Sequence, residues 1–133
     1  MGRYKEGIEV YKEAIRLEPH DAVAHYNLGV LYLKKELYSE ATEVLKQAVR
    51  LNPNLADAHV SLGLAYIGLK HYNEAVEPYK QAIRLEPKNA KAHYGLGLAF
   101  LFLGDKEKAI EEYKTLEKLD ESLANKLLDL INK

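Results

Sequence analysis

The chain has 133 residues, 47% of them hydrophobic, with 19 Lys and Arg against 20 Asp and Glu, five His, and neither Cys nor Trp. One domain with a self-supporting core is the expectation at this length, and the lack of cysteine excludes a disulfide framework, thiolate metal sites and a thiol nucleophile. A formal net charge of −1 argues against a dedicated nucleic-acid or acidic-membrane binder, which needs a basic surface.

The N-terminal stretch Met1-Gly2-Arg3 opens directly into a charged helical pattern instead of a secretory leader. From Arg3 to Glu18, Tyr4, Ile8, Tyr11, Ile15 and Leu17 mark an amphipathic helix, which Pro19 ends. A second helix starts at Ala22, where Ala24, Leu28, Leu31, Tyr32 and Lys35 lie three or four residues apart. A third follows with Tyr38, Ala41, Leu45, Ala48 and Leu51, and the two-helix pattern returns from Ala56 and again from Ala90. Each of these helices is expected to span about 14 residues. Ser122 then opens a closing stripe of Leu123, Leu127, Leu130 and Ile131. The expected architecture is all-α, with eight helices: one unpaired, three pairs and one cap. No apolar run approaches the ~20 residues that cross a bilayer, and a cytoplasmic chain is expected.

The pattern has a period of 34. Ala22 to Leu55 set against Ala56 to Asn89 gives 16 identities in 34 positions, and Ala90 to Leu123 follows in the same frame. Gly29, Gly63 and Gly97 sit inside the first helix of each unit, where glycine costs about 1 kcal/mol relative to alanine; the recurrence points to close helix approach. Ala41, Ala75 and Ala109 supply small residues on the second helix, with Gly7 in that column of the partial unit. Tyr32, Tyr66 and Phe100 are expected to fill the space between pairs, and Pro19, Pro53 and Pro87 to end each second helix and extend the residue before them. Pro78 falls inside a second helix, where its siblings are Val10, Val44 and Glu112; a local bend or a lost backbone bond near Glu74 is expected.

These columns resemble the tetratricopeptide repeat family, whose unit is a 34-residue helix–turn–helix. Leu28-Gly29, Tyr32, Tyr38, Ala41, Ala48 and Pro53 carry the match, and Leu62-Gly63, Tyr66, Tyr72, Ala75, Ala82 and Pro87 repeat it. The resemblance implies a right-handed superhelical solenoid in a single domain over residues 3–133: a half repeat at 3–21, full repeats at 22–55, 56–89 and 90–121, and a capping helix at 122–132. Departures gather in the last copy, where Lys106, Leu116 and Glu121 replace tyrosine, alanine and proline, as terminal repeats do.

Little in the chain looks catalytic. His25, His59 and His93 share one column, but with helix axes about 8–10 Å apart three imidazoles do not converge on one ion. No acidic residue shares that column, and packing is the expected role. His20 and His71 read as loop residues. Glu9-Lys12, Glu43-Lys46, Glu77-Lys80 and Glu111-Lys114 read as solvated i,i+3 pairs. Gly95 and Gly97 lie in a helical stretch with no strand before them, unlike a phosphate loop, and the tyrosines fall mostly in core columns. No enzyme activity, cofactor or metal is expected.

Removing the core columns leaves surplus apolar residues on the first helices: Tyr26, Val30 and Leu33; Val60, Leu64 and Ile67; and Tyr94, Leu98 and Leu101. They should form one stripe. The family resemblance implies that first helices line the concave groove, so this stripe becomes the candidate protein-binding surface. The family's carboxylate clamp uses lysine and asparagine in columns held here by Tyr26 and Val30, Val60 and Leu64, and Tyr94 and Leu98. Its asparagine ladder for extended peptides survives only as Asn27, with Ser61 and Gly95 in that column. An apolar groove suits an amphipathic helix with anchors at helical spacing. The sequence therefore reads as a non-catalytic scaffold for a protein or peptide ligand. The alternative is a structural module that self-associates through its unpaired N-terminal helix.

Overall fold

The computed structural model describes residues 2–133, so Met1 lies outside the described residues. Eight helices follow in order: α1 (Gly2–Leu17), α2 (Ala22–Lys34), α3 (Tyr38–Leu51), α4 (Ala56–Gly68), α5 (Tyr72–Leu85), α6 (Ala90–Phe102), α7 (Lys106–Leu119) and α8 (Glu121–Ile131). Helix starts are fixed by capping wherever the sequence offers an acceptor. The Asp21 carboxylate accepts from the Val23 and Ala24 amides at 3.0 and 3.2 Å. Asn89, Asp105 and Asp120 cap α6, α7 and α8 in the same way. The cap helix begins one residue earlier than Ser122, because Asp120 both ends α7 and caps α8.

Ends are set by backbone chemistry. Asn52 and Glu86, each before a proline, are extended at φ −141° and −136°, as the ring of the following residue requires. Inside each repeat the turn reaches the left-handed region at one position: Glu36 at φ 59°, Lys70 at 63° and Gly104 at 86°. Only the last repeat puts glycine at this position, where other residues cost roughly 1–2 kcal/mol.

Within each repeat, α2 packs on α3, α4 on α5 and α6 on α7, and each second helix packs on the first helix that follows. The small columns make this contact possible. Ala41, Ala48, Ala75, Ala82 and Ala109 are fully buried. A Cβ placed on Gly29 would stand 2.5 Å from Leu45, one on Gly63 2.6 Å from Tyr79, and one on Gly97 2.7 Å from Leu127 of the cap. All are far inside the ~3.5–4.0 Å optimum between carbons. Leu116, the large residue in an alanine column, is also fully buried, in the same core as Leu127 and Ile131 of α8. The cap therefore fills the space that a further repeat fills elsewhere.

Tyr38 and Tyr72 reach forward to the following repeat. Tyr38 covers Gly68 at the end of α4, where a Cβ would stand 2.4 Å from its ring. Tyr72 stacks on Phe102 at the end of α6, with ring centroids 4.9 Å apart. In the first unit, Lys34 Nζ lies 5.8 Å from the Tyr4 ring centroid.

Pro78 does not break its helix. The α5 helix runs unbroken from Tyr72 to Leu85 with Pro78 buried in it; having no N–H, Pro78 leaves the Glu74 carbonyl without its usual helical donor. Packing of the Ala75, Tyr79 and Ala82 face holds the helix through the gap.

Candidate protein-binding groove

The curvature of the stack follows from which helices meet. First helices approach their counterparts across repeats, α2 on α4 and α4 on α6, whereas among the described residues the backbones of α3 and α5, and of α5 and α7, stay apart. Elements that approach each other lie on the inside of a curve, so α2, α4 and α6 line the concave face. These three helices are apolar almost all round, as helices buried on more than one side are.

On this face Leu64 is the most open member of the stripe, 48% exposed. Tyr26, Val30, Leu33, Val60, Ile67, Tyr94, Leu98 and Leu101 are half-buried. Tyr26 and Leu33 also pack on the N-terminal core, and Val60, Ile67, Tyr94, Leu98 and Leu101 on the C-terminal one. The stripe thus serves the core as well as the surface, and only part of it is brought together around open space. Val60, Leu64, Tyr94 and Leu98 line a cavity of about 180 Å³ between α4, α6 and α8. Tyr26, Val30, Leu33, Ile67 and Leu101 lie outside it. Four residues not expected from the stripe complete its wall: Tyr79, Lys91, Gly95 and Leu123.

The polar fringe of the groove is sparse. Burial pushes the Tyr26 phenol above the usual range, the Asp57 carboxylate pushes it further, and the Ser61 hydroxyl opposes them. Burial alone raises Tyr94. Both phenols therefore stay neutral, which suits an apolar groove.

The histidine column has a structural role different from simple packing. Nε2 of His25, His59 and His93 lies 3.0, 2.8 and 2.8 Å from the carbonyl oxygens of Pro19, Pro53 and Pro87. Because a carbonyl only accepts, each ring donates from Nε2 and ties the first helix to the turn before it. The three rings do not form a metal-binding group with any acidic residue among the described residues. An acidic partner is nevertheless present for one of them, from a different column. The His93 Nδ1 lies 2.7 Å from Glu112 Oε1, with both side chains largely buried. Since Nε2 already donates, this contact needs a second proton, on the ring or on the carboxyl. At His25 the equivalent neighbour is Val44, and Nδ1 is buried without a partner.

The four expected Glu-Lys pairs on second helices do not form ion pairs among the described residues. Glu77 instead accepts from Gln81 at 3.3 Å. Exposed pairs of this kind return too little energy to fix two long side chains. His71 stands at the start of α5, 3.7 Å from Glu74. Gly95 and Gly97 both lie within α6. No helix of the described residues is long and apolar enough to cross a membrane.

The chain is similar to known repeat proteins. A TPR repeat model matches residues 1–36 and 69–104, and tetratricopeptide repeat models match 22–55 and 90–123. No curated protein sequence matches the chain. Among solved structures, a crystal structure of MamA is similar at a TM-score of 0.87 and 25% identity, over 98% of this chain and 86% of that one. MamA from Desulfovibrio magneticus RS-1, residue 41 to the end, is similar at 0.83 and 30% identity, over 91% and 68%. With repeat models covering residues 1–55 and 69–123 and the helix pairs stacked at the 34-residue spacing, the chain belongs to the tetratricopeptide repeat family of protein–protein interaction scaffolds.

Proposed function

We propose that this scaffold, a single domain over residues 3–133, captures an amphipathic helix of a partner protein in its apolar concave groove. The observation that carries the reading is the 48% exposure of Leu64 at a cavity that it lines with the half-buried Val60, Tyr94, Leu98 and Leu123. A helix laid along the groove covers Leu64 and places an anchor between α4 and α6. The rows that hold lysine and asparagine in carboxylate-binding relatives are Tyr26, Val30, Val60, Leu64, Tyr94 and Leu98 here; none offers a positive charge to a peptide terminus.

The test compares the intact protein with Leu64→Glu. Proteins captured by the intact chain are identified, and the helical segment of each is titrated directly against both forms. Loss of binding by at least tenfold in Leu64→Glu, with an unchanged circular dichroism spectrum, supports the groove. Equal binding by both forms contradicts it.

A second reading rests on α1. The face that α3, α5 and α7 bury under the preceding first helix is uncovered in α1, where Val10 is 65% and Leu17 66% exposed. Such a face favours contact between copies. Light scattering of a strict monomer at high concentration eliminates this reading, whereas a dimer dispersed by Val10→Glu favours it.

A further inference from the structure

The cavity between α4, α6 and α8 holds a polar group that a purely apolar groove does not require. Tyr79 comes from α5, behind the groove, and its ring threads between two glycines. A Cβ on Gly63 would stand 2.6 Å from one edge of the ring, and one on Gly95 would stand 2.2 Å from Cζ and 2.7 Å from Oη. The hydroxyl thus arrives at Gly95, in the column where the first two repeats carry Asn27 and Ser61. One departure opens the path: Tyr79 keeps the tyrosine that its column also holds at Tyr11 and Tyr113, and Gly95 removes the side chain that would block it.

Tyr79 is only 2% exposed, and no group of the described residues receives or offers a hydrogen bond at its hydroxyl. The oxygen is nonetheless not sealed: His25 Nδ1 is the only fully enclosed side-chain polar atom without a partner among the described residues, and Tyr79 lines the cavity. Burial pushes this phenol well above its ordinary range, so it remains a neutral donor.

Volume and charge narrow the occupant. An apolar cavity of about 150 Å³ accepts a benzene molecule, so about 180 Å³ accommodates one aromatic ring with a small substituent. Lys91, exposed on the rim, forms no ion pair among the described residues, and favours an acidic neighbour on the incoming segment.

We propose that this cavity is the anchor subsite of the groove and takes a tyrosine side chain of the partner, flanked by an acidic residue, whose phenol hydrogen-bonds to Tyr79. The proposal rests on the groove being the partner surface, and it adds which side chain anchors there.

The test uses 4-methylphenol and toluene as probes of the intact protein, followed by NMR of the leucine methyl groups. The subsite predicts that 4-methylphenol shifts Leu64, Leu98 and Leu123 and binds about fivefold tighter than toluene, the worth of one neutral hydrogen bond. In Tyr79→Phe, which removes a single oxygen, that preference disappears. The proposal is overturned if toluene binds the intact protein as tightly as 4-methylphenol, if Tyr79→Phe keeps the preference, or if neither probe shifts these methyl groups. A failed probe test alongside lost helix binding in Leu64→Glu removes the tyrosine subsite and leaves the groove reading standing. Unchanged helix binding in Leu64→Glu removes the groove reading itself.

Discussion

Replacing Gly95 with alanine sets two effects of known size against each other. In an exposed helix interior the change stabilises by about 1 kcal/mol, because alanine has the better helix propensity. In this protein the new Cβ stands 2.2 Å from Tyr79 Cζ and 2.3 Å from Cε1, where carbons prefer ~3.5–4.0 Å. The ring cannot retreat, since Gly63 already lies against its other edge with no room for a methyl group. Overpacking of a confined site costs about 1–3 kcal/mol, and a ring held on both sides belongs at the upper end. Gly95→Ala should therefore destabilise the protein by about 2 kcal/mol. Urea unfolding provides the assay, read as a fall in midpoint at constant slope. Adding Tyr79→Leu, the residue of the preceding repeat, removes the clash and should make the double variant more stable than the sum of the single changes. A rise of about 1 kcal/mol in Gly95→Ala alone, as propensity predicts, would refute the threaded path of Tyr79.

Three further substitutions probe the stack by the same unfolding assay. Glu112→Ala leaves His93 Nδ1 unpaired in a largely buried site and should cost about 2 kcal/mol; Glu112→Gln keeps a hydrogen-bonding partner and should cost under about half of that. Equal losses in both would show that the contact is not a hydrogen bond. Pro78→Val gives α5 its missing donor and the residue type of Val44, and should stabilise by about 1–2 kcal/mol, reduced from the full proline penalty by repacking; a loss of stability would mean that the buried ring is needed for packing. Leu127→Ala empties a fully buried site in the cap and should cost about 3 kcal/mol, whereas a cap that merely shields the end would lose less than about 1 kcal/mol.

The repeat register made most of the fold legible, because small residues at Gly29, Ala41 and Ala48 and extended residues before Pro53 and Pro87 act locally. Their spacing alone dictates helix, turn and close approach. What escaped involves pairs on different elements. Glu112 enters the sequence reading only as a sibling of Pro78, beside Val10 and Val44, yet a carboxylate in that column is the sign of its contact with His93 on the neighbouring helix. Tyr79 goes unnamed among tyrosines that fall mostly in core columns, and Gly95 stands as a gap in the asparagine ladder and half of a helical Gly-x-Gly. The loss of a side chain at Gly95, in the repeat after Tyr79, is the available signal for a side chain passing from the back of the stack into the groove. The forward reach of Tyr38 to Gly68 and Tyr72 to Phe102 needed the repeat-to-repeat angle, which no single unit encodes. Conversely, the Glu-Lys spacings were legible and carried nothing, since exposed charge pairs are not held in one geometry.

The half-burial of most stripe residues also changes how the groove is read. Tyr26, Leu33, Ile67 and Leu101 are shared with the cores, so mutating them confounds binding with stability. Leu64, being the open member, separates the two. Its change to glutamate should leave stability within about 0.5 kcal/mol, as surface substitutions do.

The most direct measurement is chemical-shift mapping of the bound partner helix on the intact protein. The largest perturbations should fall on Val60, Leu64, Tyr94 and Leu98, along the inner faces of α4 and α6, and vanish in Leu64→Glu. Perturbations confined to Val10, Leu17 and their neighbours on α1, with the groove silent, would contradict binding in the groove.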